Sequence, residues 1–221
     1  MDHVTMPDPW AGAVQDIIAA GRRMDRFGWV PATAGNISRR LPDGRIAITR
    51  SGGHKGHLAE DGVIAVTLDG QAVQAGDRPS AETLLHCQLY AHSDAHAPEG
   101  RAPGGRAEEI GAVLHGHSVA ATVLSMLPGE AILLTGYEVL KVFAGQDTHD
   151  TTVRVPVFDN DQDIARLSRV VAPHLGAMPA GYVIRGHGVY VWGRTMDVAL
   201  ARLEGLEFLL ACELERRKLA P

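Results

Sequence analysis

Short apolar segments of the kind that form β-strands alternate along this chain with segments that have the periodicity of amphipathic helices. The strand-like segments cover residues 45–49, 63–68, 113–117, 153–158, 182–185 and 189–192, and another strand followed by a helix is predicted within 131–144. Helical patterns cover 9–28 and 195–218, and two more begin at Ser80 and at Ser118. A further helix follows the strand 153–158 and ends near residue 175. Interleaved strands and helices predict an α/β fold in which helices cover a sheet. The hairpin-type turn at Asp69-Gly70 favours a mixed sheet over a purely parallel one.

The organisation of the chain favours one domain over residues 1–221. Its length of 221 residues suits a single core, and no internal repeat or linker divides it. The segment 92–106 is rich in glycine, proline, alanine and charged residues. We therefore predict a long exposed loop there.

Charge and cysteine content narrow the expected partners and location. The formal net charge of −5 gives no electrostatic reason to expect a nucleic acid or an anionic membrane as partner. Two isolated cysteines, Cys87 and Cys212, indicate a reducing compartment without a disulfide framework. The N-terminal segment MDHVTMPDPW lacks the pattern of a signal peptide, and no apolar run approaches the ~18 residues of a membrane span. We therefore expect a cytoplasmic protein.

The strongest chemical signal is the sequence His115-Gly116-His117 at the end of an apolar strand. Residues two apart on a strand point to the same face, so the two imidazoles are presented together. His187 lies between two glycines and between two apolar strands, where the backbone can turn sharply and bring the ring close to another element. Three histidines leave a fourth coordination position open, as in a catalytic metal site. The alternative is that the histidines are polar residues leaving a strand for a loop.

Small-residue loops next to strands are candidate anion sites. Thr33-Ala34-Gly35-Asn36 and Ser51-Gly52-Gly53 can expose backbone N–H groups, and Ser80 is predicted to cap a helix whose N-terminus favours an anion. Ordinary turns are the alternative interpretation of each loop.

Two glutamates are candidate acids or bases. Glu82 lies in the predicted first turn of the helix that begins at Ser80, where a carboxylate also simply complements the helix dipole. Glu138 lies in a largely apolar segment and has Lys141 three residues later, so a surface ion pair is its alternative role.

The ordered segments TAGN, TRSGG, PSAE, HGH and GHG resemble the class II aldolase/adducin family, and the resemblance covers nearly the whole chain. Within that family, the segments GWVPATAGNIS, PSAETLLHCQLY, VLHGHSVAATVLS, FDNDQDI and IRGHGVYVWGR are similar to its dehydratases of methionine salvage. The resemblance implies a three-layer α/β/α fold with a central mixed, largely antiparallel sheet. It also implies a homotetramer with sites near the subunit interfaces.

The same resemblance implies roles for individual residues. It implies one Zn²⁺ per subunit, or another divalent transition metal, on His115, His117 and His187. It implies contacts to the phosphate of a small sugar phosphate near Gly35, Asn36, Ser51, Gly52 and Ser80. Glu138 matches the acid/base position of the dehydratases, and Glu82 matches a carboxylate that the aldolases use.

The function expected from these features is the dehydration of a ketose 1-phosphate. A class II sugar-phosphate aldolase, which would cleave the carbon chain by a retro-aldol reaction, is the nearest alternative. A non-catalytic, adducin-like interaction domain is a third interpretation, but such a domain has no need of an open metal site.

Overall fold

The computed structural model describes residues 8–96 and 109–219. Its strands are β1 (Asn36–Arg40), β2 (Ile46–Thr49), β3 (Val63–Val66), β4 (Ala112–Gly116), β5 (Ala131–Thr135), β6 (Thr152–Phe158), β7 (Tyr182–Ile184) and β8 (Gly188–Gly193). Its α-helices are α1 (Pro9–Arg26), α2 (Thr83–Ala95), α3 (Val119–Ser125), α4 (Ile164–Val171) and α5 (Met196–Leu219). Short 3₁₀ helices cover Lys55–His57, Glu60–Gly62, Glu138–Val142 and Ala172–Ala177.

The strands form one sheet in the order β3-β2-β1-β4-β8-β7-β6-β5. The β6–β7 pair is parallel, and the other described neighbours are antiparallel. The predicted mixed, largely antiparallel sheet is therefore confirmed. None of the described helices combines the length and the apolar character that crossing a membrane requires.

Helices cover both faces of the sheet. One buried cluster joins α1, α3 and α5 to the sheet through residues such as Ile17, Leu124 and Leu203, and the other joins α2 and α4 through Leu89 and Leu167. Fully burying an aliphatic side chain of this size stabilises the fold by roughly 1.5–3 kcal/mol. The three-layer α/β/α arrangement is thus confirmed.

Capping side chains explain where several helices begin. Asp8 accepts a hydrogen bond from the backbone N–H of Trp10 ahead of Pro9, and Ser118 accepts one from Ala121 directly after β4. The hydroxyl of Thr195 accepts a 3.3 Å hydrogen bond from Val198 at the start of α5. These three predicted helix starts are confirmed.

The predicted helix start at Ser80 is wrong. Helix α2 begins at Thr83, and Glu82 stands at its N-cap position without a side-chain capping bond. The hydroxyl of Ser80 instead accepts a hydrogen bond from Asn36, while its carbonyl accepts one from the Thr83 N–H. The Ser80 hydroxyl, which the sequence pattern assigned to helix capping, is therefore used in a contact between distant segments.

Two further expectations differ from the structure. Residues 92–95 belong to α2 rather than to the predicted loop 92–106, and residues 97–106 of that segment lie outside the described residues. Strand β1 was not predicted, because its sequence NISRR has polar residues at buried positions.

Candidate metal centre and its cavity

A row of side chains crosses the middle of the sheet at the site. Asn36 of β1 pairs with His115 of β4, and His115 pairs with Tyr190 of β8. Directly paired residues point to the same face of a sheet. The Tyr190 ring stacks on His115, with 4.2 Å between ring centroids. This row holds the first histidine on the inner strands of the sheet.

A tight turn between β7 and β8 brings the third histidine to the first two. Gly186 has a φ of +62°, and a Cβ at Gly188 would lie 2.2 Å from the carbonyl oxygen of Gly116. The ring centroids are 4.6 Å apart for His115 and His117, 4.7 Å for His117 and His187, and 5.1 Å for His115 and His187. One nitrogen from each ring lies within 4.8 Å of the others. The predicted histidines therefore meet.

Backbone hydrogen bonding sets the tautomer of His115. Its Nδ1 lies 2.8 Å from the carbonyl oxygen of Val189, which can only accept, so Nδ1 carries the proton. Nε2 then presents a lone pair, and this fully buried atom makes no hydrogen bond within the part of the chain that the structure describes. Burial lowers the pKa of His115 and so favours the neutral ring. A neutral imidazole with an unused nitrogen suits a divalent transition metal.

Glu82 faces the histidines from the N-terminus of α2. Its Oε1 lies 3.1 Å from His187 Nε2 and its Oε2 lies 3.2 Å from His115 Nε2. Burial raises the pKa of Glu82, but electrostatic interactions with His115 and His187 and a hydrogen bond from Asn36 lower it to about 2. A carboxylate is therefore present beside the three rings at neutral pH, which favours a cation.

A chain of hydrogen bonds orients Glu82. Asn36 Nδ2 donates to Glu82 Oε2 at 2.8 Å, and Asn36 Oδ1 contacts Nε2 of His86. Nδ1 of His86 lies 2.7 Å from the Ser38 hydroxyl, which is 2.8 Å from the hydroxyl of Tyr90. Burial lowers the pKa of His86 to about 3, so its ring is neutral.

Sequence analysis did not single out this supporting chain. His86, at its centre, is fully buried. The available signal was the spacing of His86 and Tyr90, which puts both on one face of a helix.

The cavity beside the histidines has a volume of about 450 Å³. It brings together all five residues expected to contact a phosphate, which come from the start of β1, the segment after β2 and the segment before α2. Its lining includes Thr33, Ala34, Gly35, Asn36, Ser51, Gly52, Lys55, Ser80, Ala81, Glu82, His117, Asn160, Gln162, Ile164, Leu167 and His187. Gly35 has a φ of +77°, and a Cβ there would lie 2.8 Å from the His115 carbonyl oxygen, so only glycine fits.

Glu138 does not line this cavity. It begins the 3₁₀ helix Glu138–Val142, its side chain is 70% exposed, and its Oε1 accepts a 2.6 Å hydrogen bond from Lys141. That hydrogen bond lowers the pKa of Glu138. The surface pair with Lys141 considered from sequence is thus present, and a catalytic role would require the cavity of another copy of the chain.

A second group with metal-ligand chemistry contains Asp25, His54 and His57. It joins the end of α1 to the 3₁₀ helix Lys55–His57. The His54 Nδ1 accepts a 3.2 Å hydrogen bond from the N–H of Gly56, and its Nε2 lies 3.9 Å from Asp25 Oδ1. Sequence analysis did not single out this group.

Comparison with known proteins agrees with the fold. The sequence profile of the family described as "Class II Aldolase and Adducin N-terminal domain" matches residues 15–214. A methylthioribulose-1-phosphate dehydratase of Gluconacetobacter diazotrophicus is 81% identical over 96% of this chain and 98% of its own length. The enzyme of that name from Gluconobacter oxydans is 63% identical over 98% of both chains. The structure of L-fuculose-1-phosphate aldolase from Thermus thermophilus is similar in fold, with a TM-score of 0.72, 22% identity, and coverage of 94% of this chain and 96% of that one.

Proposed function

This chain belongs to the class II aldolase and adducin family, and we propose that it dehydrates 5-methylthioribulose 1-phosphate to 2,3-diketo-5-methylthiopentyl 1-phosphate in methionine salvage. The observation that carries the proposal is the meeting of three histidines and one carboxylate beside a cavity that small-residue loops also line. The choice of substrate is supported by relatives, 52–81% identical to this chain, that are named methylthioribulose-1-phosphate dehydratase.

His115, His117 and His187 would hold the metal, for which zinc is the first candidate and another divalent transition metal the second. The unused Nε2 of buried His115 and the ionised Glu82 beside it fit such an ion. When bound, the metal would supply Lewis-acid polarisation of the C2 carbonyl. Glu82 is close enough to the imidazoles to be a further ligand or to face the reacting carbons.

The substrate phosphate is assigned to the wall formed by Gly35, Asn36, Ser51, Gly52 and Ser80. Small residues allow close approach of the backbone, whose N–H groups can bind phosphate oxygens. This assignment leaves the carbons of the sugar between that wall and the histidines.

The reaction removes one water molecule from the sugar phosphate. A base takes the proton from C3, the C4 hydroxyl leaves after receiving a proton, and the resulting enol tautomerises to the 2,3-diketone. We assign both proton transfers to Glu138, a role worth roughly 10²–10⁴-fold in rate. Because Glu138 does not line its own cavity, it would act in the cavity of a neighbouring copy within a homotetramer. Glu82 is the alternative acid/base.

Replacing Glu138 tests this assignment. Glu138→Gln keeps the shape of the side chain and removes its proton chemistry, so turnover should fall by roughly 10²-fold or more while metal content stays normal. Glu215→Gln is a matched control, because Glu215 is also exposed and accepts from a lysine three residues later. Turnover of Glu138→Gln within about threefold of the parent would remove Glu138 from the mechanism and leave Glu82.

Mixed oligomers test whether the site is shared between subunits. A Glu138→Gln chain retains the histidines, and a His117→Ala chain retains Glu138. Refolding the two inactive variants together should restore activity if each cavity takes its acid/base from a neighbour. Activity that stays absent in verified mixed oligomers would contradict the shared site.

The aldolase alternative starts from the same ketone and breaks the C3–C4 bond instead. It is favoured by one observation, the position of Glu82 directly beside the histidines. Product analysis separates the two reactions, since dehydration gives the diketone and cleavage gives dihydroxyacetone phosphate. Formation of dihydroxyacetone phosphate without diketone would overturn the proposed function.

A further inference from the structure

Lys55 is a buried cation in the wall of the cavity. The residue lines the cavity, although it is only 3% exposed. The ammonium donates to the carbonyl oxygens of Thr33 at 2.5 Å and Gly53 at 2.8 Å. A lysine ammonium has three N–H donors, so these two hydrogen bonds leave one.

The charges around the cavity indicate what the third N–H group of Lys55 can bind. Lys55 is the single lysine or arginine, and Glu82 the single aspartate or glutamate, among the described residues that line the cavity. An entering phosphate would therefore meet a carboxylate and one positive side chain. Burying an ammonium without an anionic partner is costly, and burial indeed lowers the pKa of Lys55.

The position of Lys55 also connects the two loops expected to contact phosphate. Thr33 precedes Gly35 and Asn36, and Gly53 follows Ser51 and Gly52. The ammonium therefore lies between the loops with its position fixed by both of them. Its N–H group can be aimed before any ligand arrives, which reduces the entropy lost on binding.

We propose that Lys55 is a phosphate-binding residue that donates its third N–H to an oxygen of the substrate phosphate. This inference rests on the proposed function for the identity of the substrate, but its chemistry requires only a phosphate monoester. The competing interpretation is that Lys55 merely holds the two loops together.

A pair of probes that differ only in the phosphate separates these roles. Binding of dihydroxyacetone phosphate and of dihydroxyacetone to the metal-loaded protein would be measured for the parent, Lys55→Met and Lys55→Arg. Loss of a charge-assisted hydrogen bond should weaken the binding of dihydroxyacetone phosphate by roughly 10–100-fold in Lys55→Met, and by less in Lys55→Arg. Dihydroxyacetone binding should stay within about twofold, and the substrate's KM should rise more than its kcat falls. Lys218→Met, which removes an exposed lysine paired with Glu215, is the control.

Two outcomes overturn the proposal. Equal weakening of both probes in Lys55→Met would show a loop-holding role, and no weakening of either would show that Lys55 does not bind phosphate. A parent that binds both probes equally would remove the phosphate site and this inference with it. By contrast, a parent that binds the phosphate probe selectively but lacks dehydratase activity would overturn the proposed function and leave Lys55 in place.

A structural measurement covers the case in which Lys55→Met does not fold. In crystals of the parent protein soaked with inorganic phosphate, Nζ of Lys55 should lie within about 3.2 Å of a phosphate oxygen. A phosphate bound in the cavity at more than about 5 Å from that atom would contradict the proposal.

Discussion

Among the described residues, two groups bring possible metal ligands equally close together, yet their chemistry differs. In His115, His117 and His187, and also in Asp25, His54 and His57, the candidate ligand atoms lie within 4.8 Å of one another. We name them the strand group and the turn group. The strand group lies at the ends of β4 and β7, and the turn group joins α1 to a 3₁₀ helix. Comparing them shows that closely spaced ligand atoms do not by themselves identify a metal site.

The direction of one backbone hydrogen bond separates the two groups. In the strand group, His115 donates from Nδ1 to a carbonyl and leaves the lone pair of Nε2 for a metal. In the turn group, His54 accepts an N–H at Nδ1, so a neutral ring carries its proton on Nε2, toward Asp25. His54 is thereby a capping residue of its 3₁₀ helix. The strand group therefore offers an unused nitrogen lone pair to a cation, whereas Nδ1 of His54 in the turn group is already engaged by a backbone N–H.

The largest expected effect comes from removing a ligand of the strand group. His117→Ala should reduce metal content from one ion per chain to a trace and abolish turnover. The loss of affinity should exceed the ~10–100-fold that removing a partner of a ligand costs. Elemental analysis after dialysis against a fixed free-zinc concentration measures it. Full occupancy with parental affinity would refute the assignment of the metal to this group.

An intermediate effect is expected from pH, because the strand group is supported by a buried neutral histidine. The pKa of His86 is about 3 in the folded chain and ~6.5 when unfolded. Between these values the unfolded chain binds the extra proton, so stability falls as pH drops below ~6.5. From pH ~7.5 to ~5.5, His86 alone should cost the metal-free protein about 1.4 kcal/mol. Urea unfolding at both pH values measures the change. Since burial also raises the pKa of Glu207 to about 7, which has the opposite effect on stability in this range, the comparison is between the parent and His86→Gln. The same pH dependence in both proteins would contradict a neutral His86.

The smallest effect is expected from the turn group. His57→Ala removes an exposed ring, so metal content and turnover should equal those of the parent, and stability should change by no more than about 0.5 kcal/mol. The same dialysis and unfolding experiments apply, with His117→Ala as the contrasting variant. A parent that binds two ions per chain, one of which disappears in His57→Ala, would show that both groups bind metal.

Local sequence pattern predicted those parts of the molecule that short segments determine. The two histidines of HGH follow an apolar strand, and the glycines around His187 indicate a turn, so their convergence was predictable. The alternation of elements likewise predicted the α/β class. Glu82 was identified as a site residue by resemblance, since its sequence position also fits an ordinary helix terminus.

The parts of the fold and site that could not be predicted depend on contacts between distant segments. Asn36 reaches His86 and Glu82 because β1 pairs with β4 in one register, and no local signal sets that register. The same contact occupies the hydroxyl of Ser80, so the predicted cap failed. Lys55 stands in the polar segment HKGH, where sequence gives no indication of burial.

The hydrogen-bond chain behind Glu82 also decides how Asn36 is to be placed in an electron-density map. The oxygen and nitrogen of an amide look nearly alike at ordinary resolution. An ionised Glu82 can only accept, so the amide nitrogen must face it and the oxygen must face Nε2–H of His86. Nδ1 of His86 then accepts from the Ser38 hydroxyl, and the Tyr90 hydroxyl donates to Ser38. One negative charge thus determines an amide flip, an imidazole tautomer and two hydroxyl rotors, none of which diffraction at ordinary resolution would reveal directly.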